Sequence, residues 1–280
     1  MAQLYNEIFD VIVIGASNAG INFCNYIDSK TVNTKIALVS KHFNFLNNKN
    51  KLDNITYITD RSIMISFYKG LFSVSLASGE KVHGLNVVIA TGSRPIKNDS
   101  IKNSNVVYKP TDIPNEIYSF AKNNQVVVYG EDNDAVNYAL TLAKKFKYVY
   151  LCSPNIDLKC DYRLTKKLNN VANIVHLPNC HIASCKNGKD GKLCEVTLDT
   201  YSTITCSALV LALGQVPEVS GVTKKFLAVD EDGYAKVNYY GEAPGIPGLY
   251  AVGACTRQNT KRALYAAGNT LIINSKLKQK

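Results

Sequence analysis

The regular part of the chain opens on the apolar run Phe9-Asp10-Val11-Ile12-Val13-Ile14, which shows no steady alternation of polar and apolar positions. A strand of that kind is covered on both faces, as in a parallel sheet. It runs into Gly15-Ala16-Ser17-Asn18-Ala19-Gly20, then a helical stretch to about Ser29, and a second strand follows at Lys35–Val39. The same order returns about 115 residues later. There, Gln125-Val126-Val127-Val128-Tyr129-Gly130 leads to a helix over Asp134–Phe146 and a strand at Tyr148–Cys152. Two strand–glycine–helix–strand units predict an α/β protein with two nucleotide-type domains.

Alternating segments lie between and after these units. Ser62–Ser66, Leu71–Leu76 and Lys81–His83 predict a small β-meander with a Ser78-Gly79 turn, leading into the buried strand Leu85–Gly92. His181–Ser184, Cys194–Leu198 and Thr203–Thr205 predict a second meander, leading into Ala208–Gly214. A last apolar strand, Gly248–Gly253, precedes a helix over Arg262–Leu277. It comes too late for the second unit, so the chain is expected to return to the first domain.

Composition narrows the classes. The 280 residues are 46% apolar and 19% charged, enough for two cores of ordinary size and unlike a disordered chain. The apolar runs are strand-length, and Met1–Phe9 has no basic segment followed by an apolar one. The expectation is a cytoplasmic protein, neither membrane-bound nor secreted. The formal charge of +10 is spread along the chain apart from the tail Lys276–Lys280, which argues against nucleic acid as a primary partner. The eight cysteines (24, 152, 160, 180, 185, 194, 206 and 255) include no C-x-x-C pair, and the four histidines are scattered. No metal site is expected, and most cysteines read as small core residues.

Seven segments carry a more specific resemblance: Val11–Gly20, Val88-Ile89-Ala90-Thr91-Gly92-Ser93-Arg94-Pro95, Val126–Ala135, Leu213–Pro217, Val229–Tyr234, Ile246–Thr256 and Arg262–Gly268. In this order they resemble the thioredoxin-reductase-type flavoproteins of the pyridine nucleotide–disulfide oxidoreductase superfamily. The resemblance implies two Rossmann-like domains of FAD- and NAD(P)-binding type, each with a parallel sheet and a small meander. It implies an FAD domain of residues 1–108 and 247–280, interrupted by an NAD(P)-type domain of residues 109–246, and a homodimer.

On that resemblance FAD is the expected cofactor, with Gly15, Ala16, Ser17, Asn18, Gly20, Ser40, Lys41, Thr91, Gly92, Gly253, Ala254, Arg262 and Ala263 as its binding residues. Ser17 stands where the fingerprint has its second glycine, and its hydroxyl can either meet a phosphate or cap the helix. Three departures from the family pattern bear on FAD: Ser40-Lys41 replaces an acidic residue, Ala254 replaces an Asp, and the flavin-flanking segment is trimmed to His42–Asn54. The second fingerprint, Gly130-Glu131-Asp132-Asn133-Asp134-Ala135, places carboxylates where the NADPH pyrophosphate would sit, and the arginine clamp is replaced by Cys152-Ser153-Pro154-Asn155 with only Arg163 downstream. NADPH is therefore not expected to bind. The redox C-x-x-C is missing from Val107–Asp112, which excludes thioredoxin reduction by the family's mechanism. Cys255 alone falls at a motif that should face the isoalloxazine, either as a packing residue or in a redox role.

Two functions follow. One is an FAD-dependent oxidoreductase whose electrons come from a ferredoxin, another small redox protein or a second flavin. The other is a non-catalytic scaffold that binds a nucleotide or a partner protein.

Overall fold

The structure, a computed structural model, describes residues 7–31, 33–43, 54–101, 105–119, 124–200, 202–219, 226–257, 264–265 and 267–272. The chain forms two compact units, one of residues 1–94 and 216–280 and one of residues 95–215.

The first unit contains β1 (Ile8–Ile14), α1 (Asn18–Lys30), β2 (Ile36–Ser40), β3 (Ile55–Thr59), β4 (Ser62–Tyr68), β5 (Leu71–Leu76) and β6 (Lys81–Ile89). Its strands make one seven-stranded sheet in the order β3-β2-β1-β6-β5-β4, with the late strand β17 (Leu249–Ala251) also paired to β6. Strands β1, β2, β3 and β17 run parallel to their neighbours, whereas β4, β5 and the start of β6 are antiparallel. The meander and the parallel sheet are therefore continuous, because β6 is long enough to serve both.

The apolar run of β1 feeds two cores from its two faces. Val11 and Val13 pack with Phe23, Cys24 and Ile27 of α1. Phe9, Ile12 and Ile14 pack with Phe72, Val74 and Leu76 of the meander. With both faces covered, a strand gains nothing from alternation, which explains the unbroken pattern.

The chain passes to the second unit through β7 (Ser93–Pro95) and returns through β16 (Gln215–Pro217). Between them lie β8 (Val106–Val107), α2 (Asn115–Ser119), β9 (Gln125–Tyr129), α3 (Asn133–Ala143), β10 (Tyr148–Cys152), α4 (Tyr162–Leu168), β11 (Ile174–Leu177), β12 (Ile182–Asn187), β13 (Leu193–Leu198), β14 (Thr203–Thr205) and β15 (Ala208–Leu211). A five-stranded parallel sheet has the order β11-β10-β9-β15-β8, and β12-β13-β14 form a separate three-stranded meander.

The unit boundaries fall at 94/95 and 215/216 rather than at 108/109 and 246/247. Two local facts move them. Val106 and Val107 pair with Leu209 and Val210 as an edge strand of the second sheet. On the return, Leu227, Ala235 and Ala243 are buried in the first unit's core, with Phe226, Val229, Val237 and Ile246 packed against it.

Candidate functional site

Both βα turns are built alike. Gly15 N–H donates to Val39 carbonyl at 2.8 Å and Ala90 N–H to Ile14 carbonyl at 2.8 Å; in the second unit Gly130 donates to Cys152 at 3.0 Å and Ala212 to Tyr129 at 2.8 Å. Gly15 has φ +107 and Gly130 has φ +155, conformations that glycine adopts without strain. The two turns differ in what stands at the helix that follows.

In the first unit the first turn of α1 contains no acidic residue. Ser17 is its N-cap: the hydroxyl oxygen accepts from Gly20 N–H at 3.4 Å and donates its proton to Ala90 carbonyl at 2.7 Å. A hydroxyl has one proton and an ionised phosphate can only accept, so Ser17 has none to give a phosphate while it holds Ala90. The role seen in the structure is the cap. The backbone N–H groups and the helix dipole remain the anion-attracting elements here.

Beside this turn lies a cavity of about 640 Å³. The structure brings Gly15, Ala16, Ser17, Ser40, Lys41 and Thr91 to its wall. Asn18, Gly20, Gly92, Gly253 and Ala254 stand outside that lining, and Arg262 and Ala263 lie outside the described residues. The trimmed segment His42–Asn54 also falls mostly outside them, at residues 44–53. Two further stretches line the cavity and were missed in the sequence: Asp60–Ile63 and Glu218-Val219. The first follows Ile55–Thr59, a strand of five residues, too short to mark the stretch by periodicity.

Charge in the cavity is set by Lys41 and Arg61 against Asp60 and Glu218. Asp60 accepts from Arg61 N–H at 2.6 Å and from Ser78 N–H at 3.1 Å. Hydrogen bonding, that from Ser78 foremost, holds its carboxyl below the ordinary aspartate value. Glu218 is paired with Arg94 at 3.1 Å, and its carbonyl accepts from the Thr91 hydroxyl.

Cys255 is fully buried in the core of this unit. Its thiol donates to Val252 carbonyl at 3.2 Å and leans on Ile89 carbonyl at 3.6 Å, and burial pushes its pKa up to about 11. Such a thiol packs; it does not present a nucleophile.

In the second unit the helix start is occupied by the chain's own groups. Asp132 is the N-cap of α3 and accepts from Ala135 N–H at 2.9 Å. Glu131 is bound by Lys159 at 2.6 Å and by Asn155 at 2.5 Å, contacts that hold its carboxyl below its usual range. Asp134, in the first turn, accepts from Gln215 at 2.5 Å. The segment after β10 also bridges back onto the turn, Lys159 to Asp132, and Asp161 N–H donates to Asn133 at 2.7 Å. Ser153, where the family's clamp would begin, is buried and hydrogen-bonded to Asn155 carbonyl at 2.8 Å and His176 at 2.9 Å.

Comparison with known proteins agrees with this architecture. Residues 48–269 match the family described as pyridine nucleotide-disulphide oxidoreductase. An NADH dehydrogenase of Ferdinandcohnia aciditolerans is 25% identical over 218 residues, which are 72% of this chain and 39% of that protein. A thioredoxin reductase of Buchnera aphidicola is 27% identical over 215 residues, 70% of this chain and 65% of that protein. The chain thus spans 39% and 65% of the lengths of these relatives. The crystal structure of T. acidophilum thioredoxin reductase superposes with a TM-score of 0.79 at 20% identity, covering 95% of this chain and 98% of that one, which speaks for the fold. No helix among the described residues is long and apolar enough to cross a membrane. With two matching βα turns, a meander in each unit and a family match over most of its length, the chain belongs to the pyridine nucleotide-disulphide oxidoreductases.

Proposed function

We propose that the chain is a thioredoxin-reductase-like, FAD-dependent oxidoreductase that takes its electrons from a donor other than NADPH. The observation that carries this reading is the contrast between its two helix starts. That of α1 is free of carboxylates and opens on a cavity of about 640 Å³, whereas that of α3 is capped and crossed by the chain itself.

The residues fit the adenosine diphosphate half of FAD. The β1–α1 turn offers backbone N–H groups to the pyrophosphate, and Ser40, Lys41 and the Asp60–Ile63 stretch border the space beyond it. When bound, FAD supplies the centre that accepts and passes on electrons. The protein's part is to hold the anionic end of the cofactor and to keep Thr91 and Glu218 fixed at the cavity wall through their hydrogen bond. Without a C-x-x-C, the partner is a ferredoxin or other small redox protein rather than thioredoxin. We place the protein in the cytoplasm as a homodimer, without a membrane or nucleic-acid role.

A second reading, a nucleotide-binding or protein-binding scaffold without turnover, is favoured by one feature: Ala254 brings no side-chain donor to the ribityl chain. The absorption spectrum of the purified protein separates the two. Flavin bands, or their appearance on adding FAD, support the oxidoreductase. Colourless protein that FAD does not reconstitute supports the scaffold.

A further inference from the structure

The hairpin of β13 and β14 pairs Glu195 with Thr205, Val196 with Ile204 and Thr197 with Thr203. One step along the same register, Cys206 N–H donates to Cys194 carbonyl at 3.0 Å, so two cysteines 12 residues apart in sequence face each other across the hairpin. Hydrogen-bonded cross-strand pairs have Cα atoms about 5.5 Å apart, within the roughly 4.4–6.8 Å that a disulfide bridges. Their side chains share the face of Val196 and Ile204, and β14 is an outer strand that can shift without breaking a second ladder. Both cysteines line a cavity of about 440 Å³, with Lys192, Thr205 and Ser207 beside them. Cys194 is half-buried and Cys206 buried. The cavity gives a small molecule a route to the pair.

We propose that Cys194 and Cys206 are a redox-active dithiol, which a low-molecular-weight disulfide oxidises to a cross-strand disulfide. Cys194, the more exposed sulfur, loses its proton and attacks the small disulfide; that disulfide's bond breaks, a mixed disulfide forms on Cys194, and one small thiol leaves. Cys206 then loses its proton and attacks the Cys194 sulfur; the protein disulfide forms and the second small thiol leaves. Two cysteine thiols are oxidised, one small disulfide is reduced to two thiols, and both protons end on the leaving groups. Burial pushes the Cys206 thiol up to about 12, which bars it from the first attack. Its place directly across the hairpin from Cys194, an advantage Cys255 is not shown to have, is what offsets the small thiolate fraction in the second. The reaction needs no flavin and stands apart from the cavity of the first unit.

Trypsin leaves Cys194 and Cys206 together in the peptide of residues 193–224, and Cys180 and Cys185 in that of residues 168–186. The folded full-length chain is incubated with 2-hydroxyethyl disulfide, alkylated in denaturant, digested and weighed. The expected result is loss of both alkylation sites on 193–224 with no added small thiol, while 168–186 keeps both of its sites. Full alkylation of 193–224 overturns the proposal. So does a stable mixed disulfide on Cys194 with Cys206 still alkylated, or a bridge joining the two peptides. The Cys206→Ala variant, checked for folding by circular dichroism, is expected to stop at the mixed disulfide; the wild-type result decides the matter if that variant does not fold.

Discussion

A Cβ placed on Gly15 would stand 2.5 Å from the carbonyl oxygen of Ala90, the residue that follows β6. The contact is backbone against backbone, so no side chain can swing away to relieve it. Gly15→Ala is expected to cost more stability than the about 1–3 kcal/mol of backbone strain alone, read from urea unfolding, and to abolish flavin retention. Gly70→Ala is the control, because Gly70 has φ +81 but nothing within 4 Å of its added Cβ. Equal losses in the two variants would refute the close-approach argument.

Removal of the Ser17 hydroxyl tests its role as a cap. Ser17→Ala loses the bonds to Gly20 and Ala90, at an expected cost of about 0.5–2 kcal/mol in urea unfolding. FAD affinity should change little, since the hydroxyl proton is already committed to Ala90. A large drop in FAD affinity at unchanged stability would instead make Ser17 a phosphate ligand.

NADPH should not bleach the bound flavin in a stopped-flow experiment. Asp132→Ala alone should not restore the reaction, because Glu131, Lys159 and Asn155 remain locked over the turn. The same variant should lose about 1 kcal/mol of stability with its helix cap. Rapid bleaching of the wild-type flavin by micromolar NADPH would falsify the assignment of the second unit.

The Asp60 carboxyl predicts a pH dependence. Its folded pKa lies below the ordinary value of 3.8, chiefly through hydrogen bonding from Ser78. The native state therefore releases this proton more readily than the unfolded chain. Its stabilising contribution is complete above 3.8 and is lost as pH falls through the folded value. Urea midpoints of the wild type and Asp60→Asn should differ at neutral pH and converge in acid. A gap that persists undiminished in acid would rule out the carboxylate as its source.

The parts of the fold written in local pattern were legible in the sequence. The apolar runs of β1, β9 and β15 and the glycine turns at Gly15 and Gly130 announce buried parallel strands entering helices. β3 and β11 did not stand out, because five and four residues carry too little periodicity and owe their strand state to parallel pairing with β2 and β10. The membership of Val106-Val107 in the second sheet was hidden for a similar reason: it is a strand only because β15 lies beside it. Six residues of the candidate cavity's wall, Gly15, Ala16, Ser17, Ser40, Lys41 and Thr91, were expected from the glycine turn and the resemblance. The other part, Asp60–Ile63 and Glu218-Val219, is assembled from segments far apart in sequence. The Cys194–Cys206 pairing was hidden by register. It becomes visible once Leu198 N–H is seen to donate to Ser202 carbonyl, closing the hairpin that sets which residues oppose.

The late strand β17, paired with β6 in the middle of the first sheet, has a consequence for how the protein is made. A ribosome delivers residues 95–215, the whole second unit, before Leu249–Ala251 has left the tunnel. The inserted unit can thus complete its sheet during synthesis, while the first keeps the β17 side of β6 unfilled until the chain is nearly finished. Closure joins Val87–Ile89 to residues more than 150 positions downstream, a pairing that cannot form until synthesis is nearly complete. Until that moment, a nascent chain stalled before residue 249 would carry a finished second unit beside a sheet with an open strand position, the point at which a chaperone or another chain would first find purchase.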